Sequence, residues 1–183
     1  RKIAGTRWTP EDLAQRLRKD ADVYAMTGGG VTFSGGEPLM QWAFVREVID
    51  RLDGIPAAIE TSGYAPDKIF EEAMSRCQLI LMDWKVSDPA LHRRYTGVDQ
   101  APILRHAERL AQGDTPFILR LPVIPGVNDS DENFEQTALR LLDAENPEQV
   151  ELLPYHVTAG AKYEMVGLSY QPEFDTAAAP NLN

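Results

Sequence analysis

Five short runs of aliphatic and β-branched residues, each divided from the next by a segment with helix-start signals, constrain the fold of this chain more than any other feature. The runs are Val31–Ser34, Ala57–Thr61, Leu79–Lys85, Phe117–Val123 and Val150–Tyr155. Helices are predicted from Thr9 to about Ala25, then over Pro38–Leu52, Pro66–Ser75, Pro89–Tyr95, Ala101–Gln112 and Ser130–Leu142. Thr9-Pro10-Glu11-Asp12 opens the first with a threonine cap, a proline suited to the first turn and acids that complement the amino-terminal dipole. Strands alternating with helices spell a parallel α/β sheet, here a partial barrel. No internal repeat or interdomain linker breaks the pattern, so one domain is expected over residues 1–183, with residues 171–183 as a loosely held tail.

Within that frame one run is exceptional. Gly28-Gly29-Gly30-Val31-Thr32-Phe33-Ser34-Gly35-Gly36-Glu37-Pro38 is a strand that ends in two glycines, a carboxylate and a helix-starting proline. Gly35 and Gly36 let a ligand touch backbone, Glu37 can accept hydrogen bonds from a cation, and Pro38 suits the first helical turn. By itself the run is also what an ordinary strand-to-helix turn looks like.

Alternation along the strands turns motifs into geometry. Leu79, Leu81, Asp83 and Lys85 share one face, and Ile80, Met82 and Trp84 share the other. The apolar face suits helices, which leaves Asp83 and Lys85 facing the barrel at the carboxyl end of their strand, where parallel barrels bind ligands. The plainer alternative is a salt bridge closing the strand. Arg120, among apolar neighbours, needs an anion: a ligand carboxylate, Glu60 or Asp83.

Composition excludes some classes. The 183 residues are 43% hydrophobic and 25% charged, ordinary for a globular protein. A net charge of −10 and the lack of any basic block argue against a nucleic-acid partner. No apolar stretch approaches the ~20 residues needed to span a bilayer, so no membrane partner is expected and a cytoplasmic location is. Cys77 is the single cysteine and reads as a packed one. His92 and His106, beside Arg93 and Arg105 in helical stretches, read as solvated surface residues.

Further segments follow the Gly-Gly-Glu strand in order: Glu60-Thr61-Ser62-Gly63-Tyr64, Met82-Asp83-Trp84-Lys85, Arg120-Leu121-Pro122-Val123-Ile124-Pro125-Gly126-Val127-Asn128-Asp129 and Leu152-Leu153-Pro154-Tyr155-His156. With that strand, they make a chain that resembles the radical S-adenosylmethionine (SAM) activating enzymes of glycyl radical enzymes, the group typified by the pyruvate formate-lyase activase. The resemblance runs from about Gly5 to about Tyr170. It implies a TIM-type partial barrel of six βα units, of which the first strand would be missing here.

The resemblance also implies a site. SAM would meet Ser34, Gly35, Gly36 and Glu37 with its ammonium, while Asp83 and Lys85 would lie beside it. Glu60 and Thr61, with Asp83, would correspond to a monovalent-cation site, although the family has aspartate where this chain has Glu60. Arg120 offers charge for the carboxylate, and His156 would bond ribose or lie near adenine. Asp88–Val98 and Lys162-Tyr163-Glu164 have family counterparts too; the first reads as a solvated helix and the second as a closing segment without a catalytic role. The implied partners are a glycyl radical enzyme and a flavodoxin or ferredoxin-type reductant.

One family feature is absent. The Cys-x3-Cys-x2-Cys signature that holds a 4Fe-4S cluster has no counterpart in a chain whose only cysteine is Cys77. A fragment lacking its amino-terminal portion is the expected explanation, inactive as given. Two other classes stand beside it: a cluster-free module that binds SAM or another nucleotide, and a barrel enzyme doing acid–base chemistry with Glu60, Asp83, Lys85 and His156.

Overall fold

The computed structural model describes residues 5–142, 144–156, 160, 163 and 167–181. Its elements run α1 (Pro10–Arg18), α2 (Ala21–Thr27), β1 (Val31–Phe33), a 3₁₀ turn (Pro38–Gln41), α3 (Trp42–Ile49), β2 (Ala57–Thr61), α4 (Asp67–Arg76), β3 (Leu79–Asp83), α5 (Pro89–Thr96), α6 (Ala101–Gln112), β4 (Phe117–Val123), α7 (Asp131–Leu139) and β5 (Pro147–Pro154). Thr9, Asp88 and Ser130 cap α1, α5 and α7 with side-chain oxygens that accept from Asp12, Leu91 and Asn133 N–H. The helix predicted over Thr9–Ala25 is two: Lys19 and Asp20 interrupt it, and Gly28 ends the second piece with φ 69°.

The sheet has the order β1-β2-β3-β4-β5, and every pairing is parallel. Chain order equal to spatial order means that each crossover steps the same way, which is how a barrel wall is laid down. The described strands form an open wall with β1 and β5 at its edges, a partial barrel in agreement with the sequence pattern.

Register sorts the side chains. One face carries Phe33, Ile59, Ile80 and Phe117 in one row and Thr61, Met82 and Leu119 in the next. Helices cover it: Ile59, Ile80, Met82, Phe117 and Trp84 are buried with Leu39, Trp42, Phe70 and Leu110 in one core. Each such side chain contributes about 1.5–3 kcal/mol relative to exposure. The opposite face carries Glu60 in the row of Leu81 and Ile118, and Asp83, Arg120 and Glu151 side by side in the next. The parity expected from the sequence therefore holds, and the polar groups gather on the concave side near the strands' carboxyl ends.

His92 and His106 are corrections to the sequence reading. Both are buried, at 2% and 0% exposure. His106 stacks on Phe70 with ring centroids 4.1 Å apart; its Nδ1 lies 2.7 Å from Gly63 O and its Nε2 3.1 Å from Asp67 Oδ1. Flanking arginines suggest a solvated face, but α6 turns His106 inward among Ile103 and Leu110, where Gly63 O and Asp67 Oδ1 lie within hydrogen-bond reach of its two nitrogens. His92 Nδ1 meets Val98 O and Thr96 Oγ1, each at 3.2 Å.

The carboxyl-terminal segment crosses the same end of the sheet. Glu173 pairs with Arg94 at 2.8 Å, Phe174 meets Tyr155 edge-on at 5.0 Å, and Asn181 N donates to Asp129 Oδ2 at 3.0 Å. Lys162 and Glu164 lie outside the described residues, as do Leu182 and Asn183 of the expected tail.

Candidate cofactor site

β1 delivers Ser34 and then a bare turn to the concave end of the sheet. Gly35 has φ 101°, a conformation that favours glycine, and a Cβ added at Gly35 or Gly36 would meet nothing within 4 Å. The backbone here faces open space. Glu37 follows, half-buried, and its carboxylate is fully engaged: Oε1 accepts from Thr61 Oγ1 at 2.8 Å and Leu39 N at 3.2 Å, and Oε2 accepts from Ser62 N at 2.9 Å and Ser62 Oγ at 2.6 Å. The Gly-Gly turn is thereby clamped to the end of β2.

Ser34, Gly35, Gly36, Glu37, Glu60, Thr61, Ser62, Asp83 and Lys85 line one cleft of about 170 Å³. Arg120 reaches its wall through Glu60, with Nη1 2.8 Å from Glu60 Oε1, and its Nε lies 3.5 Å from Glu151 Oε2. Ser34 Oγ donates to Glu60 Oε2 at 2.9 Å. Burial works against the charged form of Glu60. Hydrogen bonds from Ser34 and Arg120, with the charges of Arg120 and Lys85, more than offset it and hold the carboxyl below its ordinary value. Lys85 Nζ lies 2.6 Å from Asp83 Oδ2, the strand-closing ion pair that alternation allowed.

His156 is exposed just past the end of β5 and is not among the residues lining the cleft. Two participants were not singled out from sequence. Ser62 was quoted only within its motif, though a hydroxyl next to a strand-end threonine is a signal for loop bonding. Glu151 sits opposite Arg120 in register, which alternation along β5 could have revealed.

The implied monovalent-cation site finds no support here. Glu60 and Thr61 are neighbours on a strand and point to opposite faces. Glu60 spends its oxygens on Ser34 and Arg120, Thr61 is buried against Glu37 and accepts from Gly63 N at 3.0 Å, and Asp83 holds Lys85. Among the described residues no group of three or more His, Cys, Asp or Glu could hold a metal ion.

A cluster does not fit this chain's residues either. Cys77 caps the carboxyl end of α4, ahead of β3 and so away from the cleft; it is 5% exposed, and burial pushes its thiol up to about 12. One protonated, packed thiol cannot supply the thiolates of a 4Fe-4S centre.

The parallel wall carries a bare glycine turn, a clamped carboxylate and Lys85 on one cleft. By its sequence the chain belongs to the radical SAM superfamily, whose profile matches residues 2–138. Its relatives narrow the comparison. It is 37% identical over 174 residues to the (2S)-3-sulfopropanediol dehydratase activating enzyme of Klebsiella oxytoca, covering 93% of this chain and 55% of that one. It is 36% identical over 177 residues to the trans-4-hydroxy-L-proline dehydratase activating enzyme of Clostridioides difficile, covering 94% and 59%. The chain thus spans somewhat over half the length of the curated relatives it matches. Among solved structures, a domain of pyruvate-formate lyase-activating enzyme from Bacteroides vulgatus superimposes with a TM-score of 0.65 at 37% identity, over 71% of this chain and 83% of that one. SuiB of Streptococcus suis bound to S-adenosylmethionine shares the fold, with a TM-score of 0.66 at 14% identity over 86% of this chain and 36% of that one.

Proposed function

We propose that this chain is the cofactor-holding part of a glycyl radical enzyme activating enzyme. Ser34, Gly35, Gly36, Lys85 and Arg120 would hold SAM in the cleft, where, given an electron from a donor outside this chain, it would supply the radical chemistry that removes a hydrogen from a glycine α-carbon of the partner enzyme. The observation that carries this reading is the convergence of the Gly35-Gly36 turn, Glu60, Asp83 and Lys85 on one cleft in a chain so similar to activating enzymes.

Each residue has a task that its surroundings suit. Gly35 and Gly36 offer unobstructed backbone to the ammonium, and Glu37 keeps that turn rigid through Thr61 and Ser62. Lys85 and Arg120 bring positive charge toward the carboxylate, with Glu60, itself bonded by Ser34, holding Arg120 in place. Asp83 fixes Lys85. His156, past the end of β5, serves the ribose and adenine end. A cleft that fixes its ligand from several sides also limits side reactions with solvent.

Electron delivery is assigned to no residue of this chain, because its cysteine does not fit a cluster. A flavodoxin or ferredoxin-type protein is the donor class proposed for the protein that carries this chain. A cytoplasmic location goes with it; no helix of the described residues is long and apolar enough to cross a membrane. The lone buried cysteine equally favours a second reading, a cluster-free module that binds SAM or another nucleotide in the same cleft.

The test is anaerobic. The protein carrying this chain, loaded with iron and sulfide and given a reductant and SAM, yields 5′-deoxyadenosine and a glycine-centred radical signal on its partner in electron paramagnetic resonance. SAM binding without any 5′-deoxyadenosine would favour the cluster-free module instead.

A further inference from the structure

The geometry points to Asn128 as a positioning residue for Lys85, an inference that rests on the cofactor reading above. The ladder between β3 and β4 ends where Trp84 N donates to Arg120 O at 2.8 Å. Beyond that bond the register between the two strands ends: the chain leaves β3 toward α5, while β4 runs on beside β5 to Val123 before the loop to α7. Asn128 replaces the ladder. Its Nδ2 donates to Lys85 O at 2.5 Å and to Pro122 O at 2.7 Å, while its Oδ1 accepts from Ile124 N at 2.7 Å. Only one amide orientation satisfies all three, with both hydrogens on carbonyls and the oxygen on an N–H.

The clamp is itself held. Asn128 is 3% exposed, and its own carbonyl accepts from Asn133 Nδ2 at 2.8 Å. Asn133 Oδ1 in turn accepts from Ser87 N at 2.8 Å, two residues beyond Lys85. Ser87 Oγ meets Thr137 Oγ1 at 2.9 Å and accepts from Trp84 Nε1 at 3.1 Å. Lys85 therefore sits between two backbone anchors, its carbonyl tied to Asn128 and the N–H of Ser87 tied to Asn133. Its side chain is 38% exposed and depends on this frame to keep Nζ on Asp83 in the cleft. Neither asparagine lines the cleft, so Asn128 acts on it indirectly, through the backbone it holds at Lys85. Pro122, with no N–H, cannot repair the ladder from the β4 side.

Asn128→Asp keeps the volume and the acceptor for Ile124 but removes both donors; Asn128→Ala removes all three bonds. Lys85 acylation by an amine-directed reagent, followed residue by residue by mass spectrometry, reads the frame directly. Asn146→Ala is the control, since Asn146 Nδ2 bonds Gly113 O at 2.8 Å at the far end of the sheet. Lys85 labelling is expected to rise several-fold in folded Asn128→Asp and Asn128→Ala and to stay at the wild-type rate in Asn146→Ala. The dissociation constant for SAM is expected to rise about tenfold in the Asn128 variants, as misplacement of a binding group does. If Asn128→Ala fails to fold, Asn128→Asp decides. Unchanged Lys85 labelling in a folded Asn128 variant would overturn the inference, whereas changed labelling with no SAM binding by the wild type would overturn the cofactor reading and leave the clamp standing.

Discussion

Ser62 is bonded to Glu37 twice, through its backbone N–H at 2.9 Å and its hydroxyl at 2.6 Å, and both bonds end on Oε2. Glu37→Gln would place an amide NH₂ against one set of donors whichever way it turned. A loss of about 1–3 kcal/mol is expected from the donor left without an acceptor. Urea denaturation measures it, and a variant as stable as the wild type would show that the clamp does not depend on the carboxylate.

Glu60 carries a pH signature. Its folded-state pKa lies below the ordinary value of 4.5, so the stabilisation it provides is present above that value and fades as pH falls through the lower, folded-state pKa. Arg120→Ala removes the cation that both bonds and faces this carboxylate, and leaves Ser34 in place. The stability gap between wild type and Arg120→Ala is therefore expected to hold steady above about pH 4.5 and to narrow over the range below it. A gap of constant size across that range would mean that Arg120 stabilises by packing alone.

The lattice of strands and helices was legible because periodicity of two and segment boundaries are local properties of a sequence. Asp83 and Lys85 could be placed on the concave face by alternation, and the apolar neighbours of Arg120 called for an anion, with Glu60 among the candidates. The failures have a common physical origin. His106 looks solvated beside Arg105, but the helical phase that buries it is set by Phe70 and Gly63, residues from another element. Asn128 stands in the sequence only as one member of the motif from Arg120 to Asp129 until the carbonyls of Lys85 and Pro122 are seen to need a donor. Tertiary partners, and not propensity, decide such cases.

His106→Ala would remove a ring stacked on Phe70 and leave the Gly63 carbonyl without its bond. A destabilisation of about 2–5 kcal/mol is expected, from the cavity together with the unsatisfied acceptor. The midpoint of thermal unfolding reports it. A shift no larger than that of an exposed substitution would contradict the packed role.

Cys77 should be silent toward thiol reagents. With its thiol pushed up to about 12 and 5% exposed, it is expected to react with a disulfide reagent at mildly alkaline pH only after denaturant is added. Stoichiometric reaction of the native chain would contradict its burial.

The cleft itself is the central claim, and titration calorimetry of SAM into the purified chain tests it most directly, with wild type and Gly36→Val side by side. Gly36 is exposed and a Cβ added there meets nothing within 4 Å, so the variant is expected to keep its stability within about 0.5 kcal/mol. The account predicts saturable binding by the wild type and a loss of about tenfold or more in affinity for Gly36→Val. Equal binding by both, or none by the wild type, would contradict it.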